Sequence, residues 1–190
     1  MPLIKIEKNY IFLQSKFNDI IKIEKEILKP IIKVSTLKNN KEEIKEYILF
    51  PYKKVNKKYQ IIPEQELQEK YPNAYNYLLN MKDYLDKRDN GKPNSVSWYA
   101  FGRTQSLNTS FGEKILFSTM NKKPNFIYHK NTEATFYSGY CIKFSGNNKK
   151  LLKQLNSERM ENFIEISSRD LRGGWKAYNK KIVQEFTIYN

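Results

Sequence analysis

Apolar residues in the first 35 positions come in short alternating pieces, at 10–13 and 20–23, and end in Leu28-Lys29-Pro30-Ile31-Ile32. This spacing predicts strands, with a short helix that Pro30 stops. Residues 38–45 are polar and read as a link or a short helix, and 46–50 form a β-rich run closed by Pro51. Helical signals then take over. Pro63-Glu64 starts one segment with acids in its opening turn, and Pro72 opens a second. Ala74, Tyr75, Leu78, Met81 and Leu85 fall on one face of that second helix, which stops at Arg88-Asp89-Asn90-Gly91. Onward to 147 the pattern is β-rich, with strands expected at 114–117, 126–129, 135–137 and 140–144, separated by Pro, Asn and Ser-Gly turns. Leu151, Leu152 and Leu155 mark a helix that Met160 and Phe163 extend. Gly173-Gly174 is a loop, and a last helix or strand runs to Ile188. The class expected is α+β, a twisted mixed or antiparallel sheet with packed helices.

Hydrophobic residues make up 39% of the 190 positions and aromatics 14%, mostly Tyr and Phe, enough for a folded core. The charge changes the picture more. Lys and Arg number 34 against 20 Asp and Glu, a formal net charge of +14. Such a field favours a polyanionic partner, nucleic acid first and an anionic membrane surface second. Richness in lysine and asparagine also arises in genomes poor in G and C, so charge alone leaves the partner open. Arginine, the best bidentate reader of a guanine edge, occurs only at Arg88, Arg103, Arg159, Arg169 and Arg172. The lone Cys141 forbids an internal disulfide and fits a reducing cytoplasm. No apolar run reaches the length of a membrane span, and the N-terminus lacks a signal peptide's apolar core, so a cytoplasmic protein is expected.

Several chemistries find no residues. There is no Gly-rich phosphate loop or dinucleotide fingerprint, and one histidine, His129, cannot build a zinc cluster or a serine triad. Glu43-Ile44-Lys45 is a fragment of a metal-nuclease pattern without an acidic partner upstream, and reads as a solvated face. Two segments stand out. In Trp98-Tyr99-Ala100-Phe101-Gly102-Arg103-Thr104-Gln105-Ser106-Leu107-Asn108 the aromatics can anchor a core. Gly102 allows a turn or a close approach, and Arg103, Gln105, Ser106 and Asn108 can read base edges or hold phosphates. An internal salt bridge for Arg103 remains the alternative. In Arg169-Asp170-Leu171-Arg172-Gly173-Gly174-Trp175-Lys176 the glycines permit a ligand to approach the backbone, or simply make a tight turn. Lys122 and Lys123 suit phosphate contacts from a loop, as any exposed lysine pair does.

In this order the segments resemble the C-terminal specificity domain of TaqI-like adenine DNA methyltransferases and of related fused restriction–modification enzymes. The matching stretches are EKEILKPIIK at 24–33, YILFPY at 47–52, YPNAYNYLL at 71–79 followed by Lys82, Leu85 and Arg88-Asp89, and WYAFGRTQSL at 98–107. Lys114-Ile115-Leu116, Gly139-Tyr140, Leu155-Asn156-Ser157 and Gly173-Gly174-Trp175 complete the likeness, which covers residues 20–188. It implies a target-recognition domain at 36–190, with 1–35 as N-terminal strands and a connector packed on it. The fold implied is that of a methylase specificity domain. The implied partners are double-stranded DNA and a methyltransferase catalytic domain, in cis or in trans. That catalytic domain binds S-adenosylmethionine and flips an adenine to methylate it. The Pro-Pro-Tyr motif of that domain has no counterpart here, so this chain is expected to hold no cofactor and no catalysis of its own. The expected DNA contacts are Arg103, Gln105, Ser106, Asn108, Lys114, Lys122, Lys123, Arg172, Trp175 and Lys176. A free-standing restriction endonuclease and a non-catalytic basic interaction module are the alternatives.

Overall fold

A computed structural model describes residues 1–104 and 106–189. The fold is α+β, with small, mainly antiparallel sheets and six α-helices among the described residues. The chain divides into two compact units, one of residues 1–31 and 44–109 and the other of 32–43 and 110–190. The boundary expected at 35/36 falls inside 32–43, the stretch that the second unit takes from the N-terminal part of the chain.

The first unit opens with an antiparallel meander, β1 (Leu3–Ile6), β2 (Tyr10–Gln14) and β3 (Ile20–Glu24). Ile11 and Leu13 alternate inward on β2 and oppose Ile23 and Ile21. The predicted helix before Pro30 is only a 3-10 turn, Lys25–Ile27. Pro30 lies inside a strand, β4 (Leu28–Lys33), paired with Tyr47 on β5 (Tyr47–Leu49). The reason is local: a proline drives the residue before it out of the helical region into extended backbone. A hairpin follows, β6 (Tyr52–Val55) and β7 (Lys58–Ile61), then α1 (Glu64–Lys70), α2 (Pro72–Asn80) and α3 (Lys82–Asp86). The carboxylate of Glu24 accepts the backbone N–H groups of Asn73 at 2.8 Å and Ala74 at 3.0 Å, a cap brought to α2 from the meander. Ile11, Leu13, Ile23, Leu28, Leu49, Leu67, Ala74, Leu78 and Tyr99 make the core. Each fully buried aliphatic side chain there contributes roughly 1.5–3 kcal/mol.

In the second unit β8 (Lys114–Phe117) is buried along its whole length between β10 (Phe126–His129) and β12 (Tyr140–Ile142). β9 (Met120–Asn121) pairs with β14 (Trp175–Ala177), which pairs with β13 (Asp170–Leu171); β11 spans Thr135–Tyr137. The helix expected from Leu151 through Phe163 is two helices, α4 (Asn148–Leu155) and α5 (Glu158–Ser167). Ser157 breaks it by capping the backbone of Met160, while Asn156 exchanges two 2.8 Å hydrogen bonds with the backbone of Phe126. Asn179 caps α6 (Lys180–Gln184) in the same way. Ile115, Phe117, Phe126, Leu151, Leu155, Met160, Ile164 and Tyr178 form this unit's core. Gly139 is required by packing, since a Cβ there would lie 2.6 Å from Val34 and 2.7 Å from the carbonyl of Phe117. No helix among the described residues is long and apolar enough to cross a membrane.

Candidate nucleic-acid interface

On the first unit the segment after α3 is held by Arg88. Its guanidinium donates to the carbonyls of Leu85 (2.8 Å), Trp98 (2.8 Å) and Ala100 (3.0 Å), so this arginine is spent inside the fold. The Tyr99 hydroxyl donates to the carbonyl of Ile62 at 2.6 Å, and the Phe101 N–H donates to the hydroxyl of Tyr52 at 2.6 Å. Trp98 stacks edge-on against Tyr99 and donates its indole N–H to Glu64. The aromatics thus fix the backbone up to Phe101, and the chain emerges into solvent directly afterwards.

Arg103 is exposed and makes no hydrogen bond or ion pair with the described residues, so the internal salt bridge is not formed. Ser106 is exposed as well, and Gln105 lies outside the described residues. Asn108 is exposed as well, yet its Oδ1 accepts the backbone N–H of Tyr59 at 2.9 Å, which ties this segment to β7. Gly102 has no positive φ, and a Cβ would meet only Asp89 Oδ2 at 3.5 Å, so neither a special turn nor a close contact requires it.

On the second unit the candidates gather on the sheet of β9, β14 and β13. Leu171 opposes Trp175, and Met120 opposes Ala177, which places these side chains on one face. That face is solvent-exposed, with Trp175 43% accessible, and the ammonium of Lys122 stands over its ring at 5.9 Å. The β13–β14 connection is Arg172-Gly173-Gly174, in which both glycines are left-handed at φ +75° and +76°. A turn that tight needs them. It leaves Arg172 exposed without a partner among the described residues.

Three predicted cations behave differently. Lys114 is 1% exposed on β8, and its ammonium donates to the carbonyl of Ala134 at 2.6 Å. Burial, then the charge of Lys143, pushes its pKa down to about 8. No phosphate reaches it in this fold, because the strand that carries it is covered on both faces. Lys176 points to the opposite face from Trp175, where Asp170 and Glu165 neutralise it; the hydrogen bonds it donates to those two carboxylates raise its pKa. Lys123 is exposed and pairs with Glu161 at 3.5 Å. The second unit therefore offers Lys122, Arg172 and Trp175 most freely.

Sequence reasoning missed the hairpin β6–β7, where Lys54, Lys57 and Lys58 are exposed and unpaired among the described residues. Asn56 at its turn was the available signal, but without a following glycine it is a weak one. Among the described residues no group of three or more His, Cys, Asp or Glu could hold a metal ion.

No protein-family profile matches the chain. One curated protein does: the type II restriction enzyme and methyltransferase RM.Eco57I of Escherichia coli is 27% identical over 187 aligned positions. The chain is related to a restriction–modification enzyme. The match covers 87% of this chain but 18% of RM.Eco57I, so the chain spans less than a fifth of that restriction–modification enzyme's length. Because each unit holds only about half of the residues, coverage of that extent reaches both.

Proposed function

We propose that this chain is the part of a restriction–modification adenine methyltransferase that recognises the sequence of double-stranded DNA. The observation that carries this reading is the match to RM.Eco57I, which takes in most of this chain and a small share of that enzyme. A net charge of +14 supplies sequence-independent attraction to phosphates. Arg103 and Arg172, both exposed and free of acidic partners among the described residues, have the forked geometry that reads a guanine edge. Ser106 and Lys122 supply further polar contacts, and Trp175, under the Lys122 ammonium, an apolar surface for a base or a thymine methyl. In this reading methyl transfer and S-adenosylmethionine binding belong to a catalytic domain, in the same polypeptide or in a separate one.

Selection from a pool of random duplexes tests the proposal. Repeated retention on the immobilised chain is expected to enrich one short motif. A pool that is retained but stays random would leave only non-specific binding, and a pool not retained even in dilute salt would reject DNA as the partner.

A further inference from the structure

The β6–β7 hairpin is the most cationic element of the first unit. No acid occurs between Glu46 and Glu64, while Lys53, Lys54, Lys57 and Lys58 lie within six positions. Only Lys53 is neutralised, by Glu66; Lys54, Lys57 and Lys58 are exposed and make no ion pair or hydrogen bond with the described residues. The two-residue turn places Asn56 and Lys57 at φ +47° and +66°, the left-handed pair that matches the twist of a tight hairpin. Asparagine tolerates that conformation; a lysine there is disfavoured relative to glycine. The sequence nevertheless keeps a charge at the tip.

The register distributes these charges. Val55 opposes Lys58 and Lys53 opposes Gln60 on one face, while Lys54 opposes Tyr59 on the other. The base of the hairpin is anchored by rings: Phe50 packs on Tyr59 at 5.0 Å, and Tyr52 on Phe101 at 5.1 Å. The Asn108 bond to Tyr59 then joins it to the segment that carries Arg103 and Ser106. The result is a short, rigid, two-stranded arm about 13 Å long. The major groove of B-form DNA, about 12 Å wide, admits such a ribbon.

We infer that the β6–β7 hairpin enters the major groove of duplex DNA, with Lys57 at the tip and Lys54 and Lys58 on its two faces holding the flanking phosphates. This rests on the DNA-recognition reading above and adds the element that enters the groove. Gln60, exposed on the Lys58 face, then points its amide toward base edges, where an adenine offers a bidentate partner.

The experiment compares the full chain with Lys54→Gln/Lys57→Gln/Lys58→Gln in fluorescence titrations against the selected duplex over a range of salt. Each phosphate contact contributes roughly 0.9 to the slope of log K against log salt. The triple variant is therefore expected to lose about 2 to 3 from that slope and to bind at least about tenfold more weakly at low salt. An unchanged slope would overturn the inference while leaving DNA recognition intact, whereas a wild-type chain that binds no duplex would sink the parent reading itself. Lys57→Gly guards against a folding artefact, since it relaxes the turn: a raised thermal midpoint with weaker binding supports the inference, and a raised midpoint with unchanged binding contradicts it. Duplex RNA of the same sequence is the last arm. Its major groove is too deep and narrow for a ribbon, so binding as tight as to DNA would also count against groove entry.

Discussion

The amine of Lys114 sits where water does not reach, and its acid–base behaviour leaves a measurable mark. Its pKa falls from an ordinary 10.5 to about 8 because burial opposes the charged form. Between pH 8 and pH 9 the unfolded chain keeps this proton while the folded chain releases it, so stability rises with pH across that interval, by about 1 kcal/mol. Around pH 9 and above, the half-buried Cys141 thiol, whose pKa is raised by burial, works in the opposite direction. Urea midpoints at pH 8 and pH 9 should show the rise in the wild-type chain and its absence in Lys114→Met; equal rises in both would refute the assignment. For Arg103, exposed beyond the aromatic anchor, replacement by Ala is expected to cost about 1–3 kcal/mol on the selected duplex and less on a scrambled one. Equal losses on both would reduce Arg103 to a phosphate contact. The sequence does not separate these residues. Lys114 lies in a strand pattern that reads apolar, Arg88 in a helix stop, and Arg103 after a glycine; which cation is buried, clamped or free depends on neighbours distant along the chain.

Elements are most legible where one local signal suffices. Pro72 opens α2, the four β-rich runs after 110 became β8, β10, β11 and β12, and Gly173-Gly174 is the expected loop. The strand at 140–144 ends at Ile142, and the misses are elements set by partners elsewhere: β9 and β13 are two residues each and exist because β14 lies between them. Pro30 predicts a helix stop, yet the turn before it, Lys25–Ile27, is too short to be an α-helix. Glu24 shows the same dependence at a helix end, where a carboxylate from β3 supplies what no residue next to Pro72 does. Glu24→Ala is expected to destabilise the chain by about 0.5–2 kcal/mol, the usual range for a lost cap, read from the denaturant midpoint. A change within error would mean that solvent satisfies those two N–H groups equally well.

For the whole molecule, the decisive fact is that the second unit borrows 32–43 from the N-terminal part of the chain. Val34 and Leu37 in that stretch are 3% and 8% exposed, Val34 touching the space of Gly139 and the Leu37 carbonyl accepting from Asn125. Nothing in a linear reading marks the stretch, since 38–45 is polar and resembles any connector. A fragment of 110–190 alone is expected to unfold at lower urea than the same fragment mixed with a 32–43 peptide; identical midpoints would show that the borrowed stretch adds nothing. The same interleaving bears on how such a protein could diversify. A single crossover between two homologous genes that falls within 44–109 would yield a hybrid with a first unit of mismatched parentage, and one placed near 110 would still join a foreign second unit to the resident 32–43 segment. Trading either unit intact demands crossovers at all three junctions, near 32, 44 and 110, or a donor whose residues at 34 and 37 already suit the recipient.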